Sequence, residues 1–155
     1  RDKVRLDPDE DFQSLSAKLA ARGGELLVGA LDLLAEDRLE FEEQGEEGVT
    51  YAEKIDRSER RLDPARPAAE LAAAVRALTP HIGAYLELAG GERLGVRRAR
   101  AVDVGVRAGE VRVEWGALLL GCAQGALRLE VVQPPGGRPM PAEDYLLGHP
   151  PPKLP

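Results

Sequence analysis

Four arginines between residues 93 and 100 are the side chains of this sequence whose type and spacing best suit ligand chemistry. In the stretch ERLGVRRARA they are Arg93, Arg97, Arg98 and Arg100. Alternate residues of a β-strand share a face, so a strand here would place Arg98 and Arg100 on one face and Arg93 and Arg97 on the other. Guanidinium groups bind phosphates bidentately, and a charged barrel face can follow a nucleic-acid backbone without reading its sequence. The same spacing is compatible with an ordinary solubilising surface strand.

The remaining reactive side chains give no pattern typical of an active site. His81 lies in TPHIGAY, a predicted turn, and His149 lies near the end of the sequence. Neither belongs to a His/Cys cluster or a Glu-x-x-His spacing, so no metal site is predicted. Cys122 ends the apolar run GALLLGC with no cation beside it, which favours a buried structural thiol over a nucleophile.

Composition indicates a folded chain with an aliphatic core. Of the 155 residues, 43% are hydrophobic but only 4% are aromatic, so the core must consist mainly of Leu, Val and Ala. The single cysteine excludes an internal disulfide and fits a reducing cytosol. The opening RDKVRLDPDED is neither a signal nor a transit peptide, and no apolar run approaches the ~20 residues of a membrane span. We therefore expect a soluble, cytoplasmic protein.

Charge is distributed unevenly along the sequence. Acidic residues outnumber basic ones by 19 to 11 in residues 1–75, whereas basic residues lead by 10 to 8 in residues 76–155. Such asymmetry is a weak indication that the second half has a polyanionic partner.

The elements that must position the arginines can be read from the apolar periodicity. Residues 12–36 carry apolar side chains at helical spacing and predict a long amphipathic helix, although Gly23 and Gly24 interrupt it and require a packing reason or a bend. Residues 37–49 are acidic and predict a linker. Pro67 suits the first turn of a second helix, which ends at Thr79-Pro80.

From Ala84 onward the apolar period changes to two. The stretches EVRVEW and ALRLEV alternate, and glycine-rich turns separate five or six short strands. The predicted fold class is α+β, mainly β: an antiparallel barrel with a short helix, preceded by the long helix and the linker. The long helix has no sheet to cover it, so we expect it to be the end of a domain whose front lies upstream. The tail GHPPPKLP is proline-rich and predicted to be disordered.

Several motifs, in order and at ordinary spacing, resemble one enzyme family. They are SLSAKLAARGGELLVGALDLL in the helix, the acidic segment around Gln44, TYAEKI at 50–55, RALTP at 76–80, GAY at 83–85, and GALRLEVVQPPGGRPM at 125–140. Together they resemble the linker and C-terminal domain of methionyl-tRNA formyltransferases, from about Leu6 to His149. Gly23 matches a glycine of that family, which favours close packing as the explanation for a glycine in the middle of the helix. Pro64 stands where the family usually has tryptophan, and His81-Ile82 replace the Trp-Pro of a family turn.

The resemblance implies a fold and a role. Residues 1–38 would be the end of a catalytic domain, 39–66 a charged linker, 67–148 an OB-like Greek-key barrel that binds tRNA, and 149–155 a disordered tail. The family transfers a formyl group from 10-formyltetrahydrofolate to methionyl initiator tRNA in translation initiation, using a catalytic Asn, His and Asp of its N-terminal domain. This sequence contains no asparagine. We therefore expect no catalytic residue, no folate-binding residue, no metal and no activity of the chain alone.

The implied partners are the missing catalytic domain and the phosphate backbone of initiator methionyl-tRNA. The candidate contacts are Lys54, Arg57, Arg93, Arg97, Arg98 and Arg100. Two alternatives stay open: part of a nucleotide-sugar formyltransferase, which shares the catalytic fold, and a free-standing OB-like module that binds another protein.

Overall fold

The computed structural model describes residues 1–155, which divide into two compact units, Arg1–Ile55 and Asp56–Pro155. The first unit contains one helix, α1 (Phe12–Ala35), and residues 36–55 form no helix or strand. The helix begins at Asp11, whose carboxylate accepts from the Ser14 backbone N–H while the Ser14 hydroxyl accepts from the Asp11 N–H. This reciprocal capping box satisfies two backbone donors that lack helical partners. The predicted long helix is confirmed.

Helix α1 has no buried residue, although half of it is apolar. Leu27, Val28, Leu31 and Leu34 are each more than half exposed. A Cβ added at Gly23 would meet no atom within 4 Å. The expectation that close packing explains this glycine is therefore not met within the chain, because nothing covers that side of the helix.

The second unit is built around a sheet with three short helical elements. A 3-10 turn (Ser58–Arg60) and helix α2 (Ala68–Leu78) precede the strands. The strands are β1 (Ala84–Glu87), β2 (Arg93–Val102), β3 (Val111–Glu114), β4 (Ala117–Gly121), β5 (Ala126–Gln133) and β6 (Met140–Pro141), followed by helix α3 (Ala142–Gly148).

All strand pairs are antiparallel, in the order β1-β2-β5-β4-β3 with β6 beside β5. The β3-β4-β5 meander returns β5 to lie beside β2, which gives these four strands the spatial order of a Greek key. The mainly-β α+β class and the barrel-like antiparallel sheet are confirmed.

The core is aliphatic, as the composition predicts. Helix α2 begins after Pro67, whose missing N–H costs nothing at a helix start, and it packs chiefly on β2. Its residues Leu71, Ala72, Val75 and Leu78 are buried at the i, i+1, i+4 and i+7 positions of one face. The largest fully buried side chains are otherwise contributed by the strands: Leu86, Leu94, Val96, Leu118, Leu120, Leu127, Leu129 and Val132.

Residues 149–155, predicted to be a disordered tail, form no helix or strand but contact the second unit. The Ala89 N–H donates to the Lys153 carbonyl at 2.8 Å, Pro152 is buried, and Leu154 packs against the core. Prolines restrict the unfolded as well as the folded chain, so holding this segment extended costs less conformational entropy than composition suggests.

Candidate nucleic-acid interface

A β-bulge in β2 places all four candidate arginines on the outside of the barrel. The β2–β5 register shifts between Val96 and Arg98 and again between Arg98 and Ala99. Leu94 and Val96 are buried two residues apart, but the next buried position, Ala99, follows after three. A bulge adds one residue to one strand and reverses the alternation beyond it. The prediction that the two arginine pairs lie on opposite faces is therefore wrong for this strand.

Arg97 is engaged with the barrel itself. Its Nε and Nη2 donate to the Gln133 side-chain oxygen at 2.9 and 2.5 Å, and its backbone carbonyl accepts from the Thr79 hydroxyl at 3.1 Å. Gly83, at φ +76°, lies directly beneath the guanidinium, where a Cβ would be 2.3 Å from Nη1. Arg97 thus ties β2 to the end of β5 on the outer side of the barrel, where Gln133 engages two of its guanidinium nitrogens.

Arg98 and Arg100 share a single carboxylate. Their Nε atoms lie 3.0 and 3.2 Å from the two oxygens of Glu130 on β5. The arginine side chains are 70% and 57% exposed, whereas that of Glu130 is 25% exposed. Exposed ion pairs are worth roughly 0–1 kcal/mol, so a phosphate can compete for either guanidinium. Two cations and one anion leave this patch with one net positive charge.

Arg93 belongs to a groove that contains a further arginine. Its guanidinium lies 4.5 Å from the ring centre of Tyr85, in cation–π geometry. Arg93, Arg97 and Arg60 line this groove with Gln133 and the Pro134–Gly136 turn, and no carboxylate lines it. Arg60 donates to the carbonyls of Gly83 and Ile82 at 3.1 and 2.8 Å. Sequence reasoning missed Arg60, because it lies 33 positions before Arg93 and only the fold brings the two together.

Lys54 and Arg57 lie in different units. Lys54 belongs to the irregular end of the first unit, and Arg57 immediately precedes the 3-10 turn of the second. Both side chains are exposed, and the Arg57 charge acts on the neighbouring Asp56 carboxylate.

The β3–β4 hairpin brings an aromatic residue close to the outer face of β2 that carries Arg98 and Arg100, here called the arginine surface. The alternation of EVRVEW predicts Trp115 as a continuation of the strand, but β3 ends at Glu114 and Trp115 is a turn residue with φ +51°, 98% exposed. One depression is lined by Trp115 and Arg128, and an adjacent depression by Gly116, Arg128 and Arg98. The hairpin tip and the β2 arginines therefore belong to one surface.

Cys122 and His149 make contacts that suit a structural role. Cys122 is buried, its thiol contacts the Leu120 carbonyl at 3.4 Å, and burial raises the pKa of the thiol. The His149 ring stacks on Tyr145 at 4.5 Å. The structure holds no group of three or more His, Cys, Asp or Glu side chains that could bind a metal ion. None of its helices is both long and apolar enough to cross a membrane.

Solved structures share this architecture. A variant of HypX from Aquifex aeolicus superposes with a TM-score of 0.65 at 16% identity, covering 94% of this chain and 27% of that one. HypX in complex with tetrahydrofolic acid matches with a TM-score of 0.51 at 18% identity, covering 75% of this chain and 21% of that one. At these identities the likeness establishes the class of fold: a mainly-β domain of the type found within a larger folded chain.

The sequence comparisons establish the family. Residues 54–150 match the formyl transferase C-terminal domain, and the chain belongs to that family. Methionyl-tRNA formyltransferases of Brucella ovis and Brucella canis are each 35% identical over 150 residues, covering 95% of this chain and 48% of theirs. The chain thus spans about half the length of these curated relatives, and the resemblance predicted from the motifs is confirmed.

Proposed function

We propose that this chain is the C-terminal, tRNA-binding part of a methionyl-tRNA formyltransferase. The observation that carries the proposal is the 35% identity extending over 95% of the chain, which includes α1, the irregular segment and the whole barrel. The parent enzyme formylates the amino group of methionyl initiator tRNA from 10-formyltetrahydrofolate. This step belongs to translation initiation, which would place the protein in the cytoplasm.

Under this proposal the chain contributes binding rather than chemistry. Residues 1–38 are the end of the catalytic domain, 39–66 a linker, and 67–148 the barrel that holds the tRNA. The folate co-substrate and the catalytic residues belong to the domain upstream of α1. A chain without asparagine cannot supply the catalytic Asn of the family.

The barrel would hold the tRNA backbone through exchange of ion pairs. Arg98 and Arg100 would each exchange its ion pair with Glu130 for an ion pair with a phosphate. The partly buried Glu130 carboxylate reduces the net gain in binding free energy. Arg93, which forms no ion pair within the chain, would bind phosphate without that competition, whereas Arg57 already acts on the neighbouring Asp56 carboxylate. Arg97 positions β2 and contributes its charge to the groove. Such contacts are sequence-independent and depend strongly on salt, because each neutralised phosphate releases condensed counterions.

The test is binding of initiator tRNA to the chain at several salt concentrations, followed by filter retention or by fluorescence anisotropy of labelled tRNA. The paired substitution Arg98→Ala and Arg100→Ala is expected to weaken binding and to reduce the slope of log K against log salt by about 1.4–1.8. Arg66→Ala is the control, since the Arg66 side chain is 49% exposed, forms one ion pair with Glu70 and lines neither depression nor the groove. Absence of binding at low salt, or equal losses in the paired variant and the control, would overturn the proposal.

A further inference from the structure

No packing within the chain explains the exposed position of Trp115. It is the only tryptophan of the chain, is 98% exposed, and packs against no part of the core. Trp115 and Gly116 are the two central residues of the β3–β4 turn, with φ +51° and +75°. Positive φ at both positions is what a type I′ hairpin turn requires, and Asn-Gly is the sequence that turn prefers. A bulky residue rarely adopts φ > 0, so the indole is presented to solvent at a conformational cost.

The surroundings of Trp115 combine an apolar wall with an unpaired cation. The depression beside the indole is lined by Val102, Val104, Ala117 and Leu119 together with Glu114 and Arg128. Arg128 is half-buried on β5 and forms neither an ion pair nor a side-chain hydrogen bond within the chain. Its direct cross-strand partner is Arg100 of β2. An aromatic face and a free guanidinium therefore line one depression, at the edge of the arginine surface.

We propose that Trp115 and Arg128 form a nucleotide platform, in which an unpaired base of the bound RNA stacks on the indole and its phosphate pairs with the Arg128 guanidinium. The proposal rests on the proposed function, since the platform adjoins the arginines that would hold the tRNA backbone. Bases with an exposed π face stack on aromatic side chains whatever their sequence, and single-stranded loops and ends offer such bases. Duplex segments do not, so the platform selects an unpaired nucleotide.

Charge decides which side of the depression the phosphate takes. Glu114 lines the same depression and repels an anion, whereas Arg128 lies opposite Arg100 on β2 and forms no ion pair. The adjacent depression is lined by Arg98 and Arg128 together with Glu130 and Glu143, and Glu130 is already shared by Arg98 and Arg100. The Arg128 guanidinium is therefore the phosphate side of the platform, and the hairpin tip is its base side. A purely apolar protein partner would leave Arg128 desolvated without an anion, which is why a nucleotide fits the lining better.

The single tryptophan makes the platform directly measurable. We expect the fluorescence of Trp115 to be quenched, in step with binding, on titration with initiator tRNA and with a short unstructured RNA oligonucleotide. Trp115→Asn is the decisive variant, because Asn-Gly favours the type I′ turn while the indole is removed. It should bind the oligonucleotide roughly 5- to 150-fold more weakly, as expected from the loss of one stacked base, whereas Trp115→Phe should retain most of the affinity. Arg128→Ala should reduce the salt slope for the oligonucleotide by about 0.7.

The outcomes separate the platform from the proposed function. Quenching with the expected loss in Trp115→Asn supports both. Binding of tRNA that leaves the fluorescence unchanged and is unaffected by Trp115→Asn overturns the platform and keeps the tRNA-binding role. Absence of any RNA binding overturns both. Quenching by a protein partner but not by RNA would also overturn the platform.

Discussion

Arg97 is predicted to stabilise the barrel, in contrast to its neighbours Arg98 and Arg100. Replacing Arg97 by alanine removes two hydrogen bonds to the Gln133 side-chain oxygen, at 2.9 and 2.5 Å, and uncovers Gly83. A hydrogen bond from a charged group contributes ~1.5–3 kcal/mol when buried, and the half-buried setting of Arg97 reduces this to about 1–2 kcal/mol. Arg98→Ala removes only an exposed ion pair and should change the free energy of unfolding by less than ~0.5 kcal/mol.

The assay is urea unfolding followed by far-UV circular dichroism, with a double-mutant cycle. In a parallel thermal melt, a loss of 1–2 kcal/mol in this unit of 100 residues corresponds to a drop in Tm of about 4–16 °C. Gln133→Ala should cost a similar amount, and the double variant should cost less than the sum of the two, with a coupling energy of at least ~0.5 kcal/mol. Equal stability of Arg97→Ala and Arg98→Ala, or strict additivity with Gln133→Ala, would refute the assignment of Arg97 as a structural tie.

Three further outcomes follow from the packing of the second unit. Gly121→Ala would place a Cβ 2.0 Å from the Arg107 carbonyl oxygen, so the 103–109 loop must move, and urea unfolding should show a loss of ~1–3 kcal/mol, against no change for Gly90→Ala. Cys122 should react with a thiol reagent far more slowly in the native chain than in urea. Because burial raises the pKa of its thiol, the unfolded chain loses this proton first, and the free energy of unfolding should fall as the pH rises above the pKa of an exposed thiol. Removing residues 150–155 deletes the contact of Leu154 and one backbone hydrogen bond, and should lower the free energy of unfolding by about 1–2 kcal/mol in a thermal melt.

Sequence patterns predict the elements here better than the faces they present. The 3.6 period of residues 12–36 and the period of two after Ala84 identify α1 and the sheet, because each element separates an apolar from a polar face. In the sheet the apolar face is buried, whereas α1 has no buried residue. Strict alternation does not predict the bulge at Arg97–Arg98, although the apolar spacing of Leu94, Val96 and Ala99 indicates it. A change from two to three in the spacing of core residues within a strand is the feature that indicates such a bulge.

The rest of the surface depends on contacts between distant parts of the chain. Glu130 meets Arg98 and Arg100 only because β5 lies beside β2, an arrangement that strand patterns alone do not specify. The same pairing sets Arg128 opposite Arg100 and brings the Trp115 hairpin to the arginine surface. The strand pattern alone therefore identifies the cations, but neither the anion that opposes them nor the aromatic residue beside them.

A map of amide chemical shifts in the isotope-labelled chain, recorded during titration with initiator tRNA, tests most directly whether β2 holds the RNA. Salt-sensitive shifts are expected at Arg93, Arg98 and Arg100 of β2 and at neighbouring positions of β5, with α2 unaffected. Shifts confined to other faces of the barrel, or no shifts at low salt, would contradict the claim that this strand holds the tRNA.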